Sequence, residues 1–185
     1  PHLFPSMGLH PTALIAPGAE LGEGVDIGAY CTVGPQVRLG ARTRLSAHVV
    51  IDGDTVLGCD NELFPFCVIG TYPQDKKLKA NDPPGKLRIG DHNRIREHVT
   101  IHGGTSFGGG MTTIGDHNML LVGAHIGRDA TVGSHVVFTN GAMAAGRRAV
   151  DAADAGSRAW NLIGACHANR NEPDLARRAF DQARR

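Results

Sequence analysis

From Leu9 onward an aliphatic residue returns every six positions: Leu9, Ile15, Leu21, Ile27, Val33, Leu39, Leu45, Ile51, Leu57, Leu63 and Ile69. Four residues after each stands a small or β-branched residue: Ala13, Ala19, Val25, Cys31, Val37, Thr43, Val49, Thr55 and Cys67, with Asn61 as the polar exception. Glycine often follows the aliphatic directly, as at Gly22, Gly28, Gly34, Gly40 and Gly58. An α-helix repeats at about 3.6 residues and loses about 1 kcal/mol per interior glycine, so it cannot write this pattern. A short strand, a turn, a short strand and a turn can. Each hexapeptide then makes one flat side, and three sides close a triangular coil of about 18 residues with the aliphatic and the small residue inward. Coils stack at the inter-strand spacing of roughly 4.8 Å. The pattern predicts an all-β solenoid, a parallel β-helix of hexapeptide repeats.

The repeat halts at "TYPQDKKLKANDPPGKLR", residues 71–88, which is expected to protrude as a loop. It resumes at Ile89, Ile95 and Ile101, with Asn93, Val99 and Thr105 inward. A second protruding insert, "FGGGMTT", occupies 107–113. The period returns at Ile114, Leu120, Ile126, Val132, Phe138 and Ala144, with Asn118, Ala124, Ala130, Val136 and Ala142 as partners. The next inward partners would be Arg148 and Asp154, which do not belong in a narrow apolar prism. The solenoid is therefore expected over 1–146.

Residues 147–185 change character to an Ala- and Arg-rich stretch with the single Trp160. Apolar spacing turns helical, and Asn171 or Glu172 before Pro173 reads as a helix start. Two helices, about 150–169 and 173–184, are expected as a short C-terminal α-helical tail. Trp160, Ile163, Gly164, His167, Ala176, Phe180 and Ala183 fall at the spacings of one tetratricopeptide unit, which the tail resembles; a generic capping helix pair fits as well.

Composition narrows the function. With 25 glycines and 5% aromatics the chain suits tight turns and small aliphatics, and a net charge of +1 without a basic-aromatic stripe gives no sign of a nucleic-acid partner. No apolar run reaches membrane-spanning length, and no signal peptide opens the chain. The sequence starts at Pro1, so the natural start is expected upstream. Cys31, Cys59, Cys67 and Cys166 fit neither a disulfide framework nor a zinc knuckle. Cys31 and Cys67 share the inward column two coils apart, roughly 10 Å at the strand spacing and beyond disulfide reach. Free thiols in a reducing, cytoplasmic setting are expected. His117 and His135, 18 apart, should stack on neighbouring coils, but no three histidines converge by repeat phase, so no metal or other cofactor is expected.

Three runs carry a resemblance: "YPQDKKLK" (72–79), "IREHVTIHGGTSFGGGMTTIGDHNMLLVGAHIGRDATVG" (95–133) and "NGAMAAG" (140–146). With "LHPTALIAPGAELGEGVDIGAYCTVGP" near the start, they make residues 9–146 resemble the acyl-carrier-protein-dependent UDP-N-acetylglucosamine O-acyltransferases of lipid A synthesis. The resemblance implies a left-handed β-helix, a homotrimer with active sites between subunits, and transfer of a 3-hydroxyacyl chain from acyl carrier protein to the sugar 3-hydroxyl of UDP-N-acetylglucosamine. It implies a general base at the second histidine of an Ala-His-Ile-x-His-Asp run, which here reads Ala124-His125-Ile126-Gly127-Arg128-Asp129. His125 and Asp129 match that run, and Arg128 stands at the base position.

The resemblance places the oxyanion donor at the Gly146 backbone N–H and the sugar contacts at Asp75, Lys77 and His102. The alternative for Asp75 is a solvated loop carboxylate. Lys76, Lys77, Lys79, Lys86 and Arg88 would meet an acidic carrier protein, or form a solvated charged loop. The resemblance also implies further coils with nucleotide contacts after the matched region, which this sequence does not continue into.

Arginine has no acceptor lone pair and stays protonated. By repeat phase His125 would stand at a corner, so its ring would have to swing round to replace the base. Three readings follow: a catalytic acyltransferase, a non-catalytic trimeric scaffold whose tail recruits a partner, and the product of a rearranged gene.

Overall fold

The computed structural model describes residues 8–79, 81–83, 85–144 and 149–150. Among them are twenty strands, from β1 (Leu14–Ile15) to β20 (Ala149–Val150), most of two residues. They arrange in three parallel sheets in which each strand pairs with the strand three places on. The solenoid is a left-handed parallel β-helix. A two-residue strand is too short to stand alone; stacking against the coils above and below satisfies its backbone groups. Leu14 and Ile15, for example, pair with Thr32 and Val33 of the next coil.

The hexapeptide aliphatics fill the prism. Ile27, Ile51, Leu57, Leu63, Ile95, Leu120, Ile126 and Phe138 are fully buried. The inward polar residues also form a column. Asn61 Oδ1 accepts the Asn93 backbone N–H at 2.9 Å, Asn93 Oδ1 accepts that of Asn118 at 2.8 Å, and Asn118 Oδ1 that of Val136 at 2.7 Å. Asparagine is tolerated inside because each amide bonds the coil beyond it.

At the corners the backbone bends through left-handed turns. Tyr30, His48, Phe66 and His98 have φ of 57°, 60°, 67° and 59°, and their rings stack with centroids 5.1 Å apart. The expected pairing of His117 with His135 is present at 5.0 Å, and His92 extends it at 4.8 Å. These rings lie face to face, and no group of three or more His, Cys, Asp or Glu among the described residues could hold a metal ion.

Both excursions are shorter than the halted period suggests. Thr71 closes β10 (Val68–Thr71), and Lys86 already opens β11 (Lys86–Ile89), whose four residues pair with β8 (Asp54–Leu57). Residues 111–113 of the second insert belong to β14 (Met111–Ile114), which pairs with β11, so only 106–110 form a turn. Extra chain length is absorbed where it can continue the ladder. β20 lies past the expected boundary at 146 and pairs with Thr131 and Val132 of β17 (Thr131–Val132). The expected tail helices fall outside the described residues. No described helix is long and apolar enough to cross a membrane.

Candidate functional site

Two strands and two excursions bring the site together. β13 (Thr100–His102) and β16 (His125–Ile126) are neighbours in one sheet, with Thr100 opposite His125 and Ile101 opposite Ile126. Side chains alternate along a strand, so buried Ile101 and Ile126 turn the flanking residues outward. His125 is therefore on a flat face, and Arg128 and Asp129 form the corner turn that follows. This reverses the expected placement of His125: the strand residue pair precedes the turn in every hexapeptide.

Thr100 Oγ1 lies 2.7 Å from His125 Nδ1. The His102 and His125 rings meet edge to face, centroids 4.8 Å apart at 76°. Burial pushes His102 down to about 4, with the neighbouring His125 adding to the effect. Burial also lowers His125, partly opposed by a hydrogen bond to the Thr100 backbone. Burial thus favours the neutral form of both imidazoles.

Asp129 is nearly buried, with a side chain 2% exposed. Its carboxylate accepts the Thr105 backbone N–H at 2.8 Å and the Thr105 hydroxyl at 2.6 Å. Its own N–H donates to Thr112 Oγ1 at 2.9 Å. Asp129 thereby ties both ends of the 106–110 turn to the corner after β16. A side chain at Gly108 would collide with this carboxylate, which explains the glycine there.

Arg128 bridges the excursions. Its Nε donates to Asp75 Oδ2 at 2.5 Å and its Nη1 to Asp129 Oδ2 at 3.2 Å, while its guanidinium sits 5.4 Å from the Phe107 ring centroid. Asp75 is not a solvated loop carboxylate: its side chain is 14% exposed. Asp75 Oδ1 accepts the Lys77 backbone N–H at 2.9 Å. That bond and the Arg128 guanidinium hold its carboxyl below the usual range.

The Lys77 side chain is exposed, as are those of Lys76, Lys79 and Lys86. Arg88 leaves this group by pairing with Asp54 at 2.9 Å. The structure thus brings Asp75, Arg128 and Asp129 into one network and His102 and His125 into another. Gly146 lies outside the described residues.

Sequence reasoning missed Thr100, Thr105, Phe107 and Thr112. Thr100 was within reach of it: 100 and 125 are 25 apart, one coil plus the seven-residue insert.

No protein-family model matches the chain. Solved structures do. LpxA from Acinetobacter baumannii is 44% identical over 76% of this chain and 54% of its own, with a TM-score of 0.73. The UDP-N-acetylglucosamine acyltransferase of Francisella novicida is 36% identical over 77% of this chain and 51% of its own, with a TM-score of 0.75. That of Arabidopsis is 32% identical over 77% and 57%, with a TM-score of 0.63. The chain spans about half the length of these relatives.

Proposed function

The solenoid is a homologue of the UDP-N-acetylglucosamine acyltransferases, and on that premise we propose that it is built for acyl transfer of their type. A 3-hydroxyacyl chain would pass from the thioester of acyl carrier protein to the sugar 3-hydroxyl of UDP-N-acetylglucosamine, a cytoplasmic step of lipid A synthesis. The sites would lie between subunits of a homotrimer. The observation that carries this reading is the meeting of Asp75 with position 128. The fold brings the carboxylate expected to receive the sugar to the position expected to hold the base.

The reaction needs an acceptor for the hydroxyl proton and a donor for the thioester oxyanion. The Gly146 N–H is the proposed oxyanion donor, and Lys77 and His102 the proposed companions of Asp75 on the sugar side. Asp129 acts at one remove, by fixing the corner that carries position 128.

Arg128 cannot accept a proton, and its pairing with Asp75 also engages the carboxylate that would bind the sugar. Loss of a positioned base slows a reaction by about 10²–10⁴-fold. The proposed activity is therefore slow. Incubating the purified chain with 3-hydroxyacyl carrier protein and UDP-N-acetylglucosamine, beside its Arg128→His variant, tests it. Transfer to the sugar by either protein supports the reading; no transfer by either refutes it.

The Arg128–Asp75 pair favours a second reading, a non-catalytic trimeric scaffold with an occupied site and an interaction module in residues 147–185. Capture of a defined partner by the full chain, lost on removing that segment, would favour it.

A further inference from the structure

We propose that in this chain His125 takes the proton of the acceptor hydroxyl, with Thr100 as its positioning residue. The proposal rests on the acyl-transfer reading above. It starts from the placement of His125 on a flat strand rather than at a corner. An outward strand side chain stands clear in front of its sheet, with no swing round a corner required. The next outward position, Gly127, carries no side chain to separate His125 from the Arg128 corner.

The ring is also oriented. Thr100 lies opposite His125 in register and holds Nδ1 through its hydroxyl at 2.7 Å. The ring's hydrogen bond to the Thr100 backbone, whose carbonyl can only accept, favours the ring as donor on this side. With the Nδ1 proton directed at Thr100, the lone pair is on Nε2. An imidazole fixed at one nitrogen by a hydrogen bond and free at the other is the arrangement a general base requires. His102 covers the ring edge to face and keeps water from part of it.

No formal charge competes on the adjoining strands of this sheet. The outward neighbours of His125 are Thr100 on β13 and Met143 on β19 (Met143–Ala144), and His102 is the titratable ring in contact with it.

The step balances within the reaction. The hydroxyl proton passes to Nε2 as the oxygen bonds the thioester carbonyl carbon. The carbon–sulfur bond then breaks, and the imidazolium returns the proton to the departing thiolate. Ester and free carrier thiol are the products, and His125 ends neutral.

The test follows transfer from 3-hydroxyacyl carrier protein to UDP-N-acetylglucosamine across pH 4–8, for the wild type, His125→Gln, Thr100→Val, Thr100→Ser and Arg128→His. A base must be neutral, so the rate is lost as pH falls through its folded pKa, which burial sets below the ordinary 6.5. The expected wild-type profile therefore has its acid limb below 6.5. His125→Gln should reduce the wild-type rate by about 10²-fold or more. Thr100→Val should lower kcat with little change in KM, and Thr100→Ser should restore it. If His125→Gln misfolds, the wild-type acid limb and the two Thr100 variants decide.

A wild type without turnover beside an active Arg128→His variant overturns this proposal and leaves the acyl-transfer reading standing. So does wild-type turnover indifferent to His125 and Thr100. If no protein in the series transfers the acyl group, both fall together.

Discussion

Arg128 and Asp75 form an ion pair that joins the corner after β16 to the excursion between β10 and β11. Among the described residues, the excursion has few other anchors. Tyr72 Oη donates to the Asp82 carbonyl at 2.7 Å and the Lys79 N–H to Asp82 Oδ2 at 2.8 Å, both within the loop itself. Arg128→Ala should therefore expose residues 72–79 to proteolysis while leaving the unfolding transition of the solenoid nearly unmoved. Limited digestion with a lysine-specific protease reads this through Lys76, Lys77 and Lys79. An unchanged cleavage rate would show that the pair does not hold the loop.

Asp129 should behave as a structural fastener. Asp129→Ala removes acceptors for the Thr105 N–H and hydroxyl, and charged hydrogen bonds of this kind contribute about 1.5–3 kcal/mol. The expected result is a loss of about 3 kcal/mol in urea unfolding and faster amide exchange at 105–110. Exchange unchanged in that segment would remove Asp129 from its anchoring role.

The asparagine column makes a separate prediction. Asn93→Ala leaves the buried Asn118 backbone N–H without its acceptor. That should cost roughly 1–3 kcal/mol, measured by denaturant unfolding. Asn93→Asp should not rescue it fully, because the amide donor to Asn61 Oδ1 is lost as well.

Those asparagines show how far the chain could be read before folding. Period and phase placed Asn61, Asn93 and Asn118 inward, because one residue's step round the prism fixes which way it points. The pattern could not say what would satisfy them, since the answer lies one coil away. The same limit explains the site. The family motif singled out Asp75, His102, His125, Arg128 and Asp129 as candidates, but the side chains they meet include Thr100, Thr105, Phe107 and Thr112. Two of these, Phe107 and Thr112, sit in a segment the period treats as an interruption. The continuation of β11 and β14 through such segments was hidden for a similar reason: added residues join a ladder only when the neighbouring coil offers matching length.

The histidine pair gives the solenoid an acid-sensitive face. His102 titrates near 4 when folded and near 6.5 when exposed, because burial disfavours its charged form. Between those values the unfolded chain binds more protons, so stability falls as pH drops from about 6.5 to about 4 and levels off below. The half-buried position limits the loss to the order of 1 kcal/mol. His102→Gln should flatten the unfolding free energy over that window; an unaltered pH slope would contradict the assignment.

The rate of acyl transfer from 3-hydroxyacyl carrier protein to UDP-N-acetylglucosamine, compared between wild type and Arg128→His, bears most directly on the proposal of an acyltransferase site altered at its base. A slow wild type and a rise in kcat/KM of about 10²-fold or more in the variant are predicted. Wild-type turnover at ordinary enzyme rates of about 1–10³ s⁻¹, with no gain from the histidine, would contradict it.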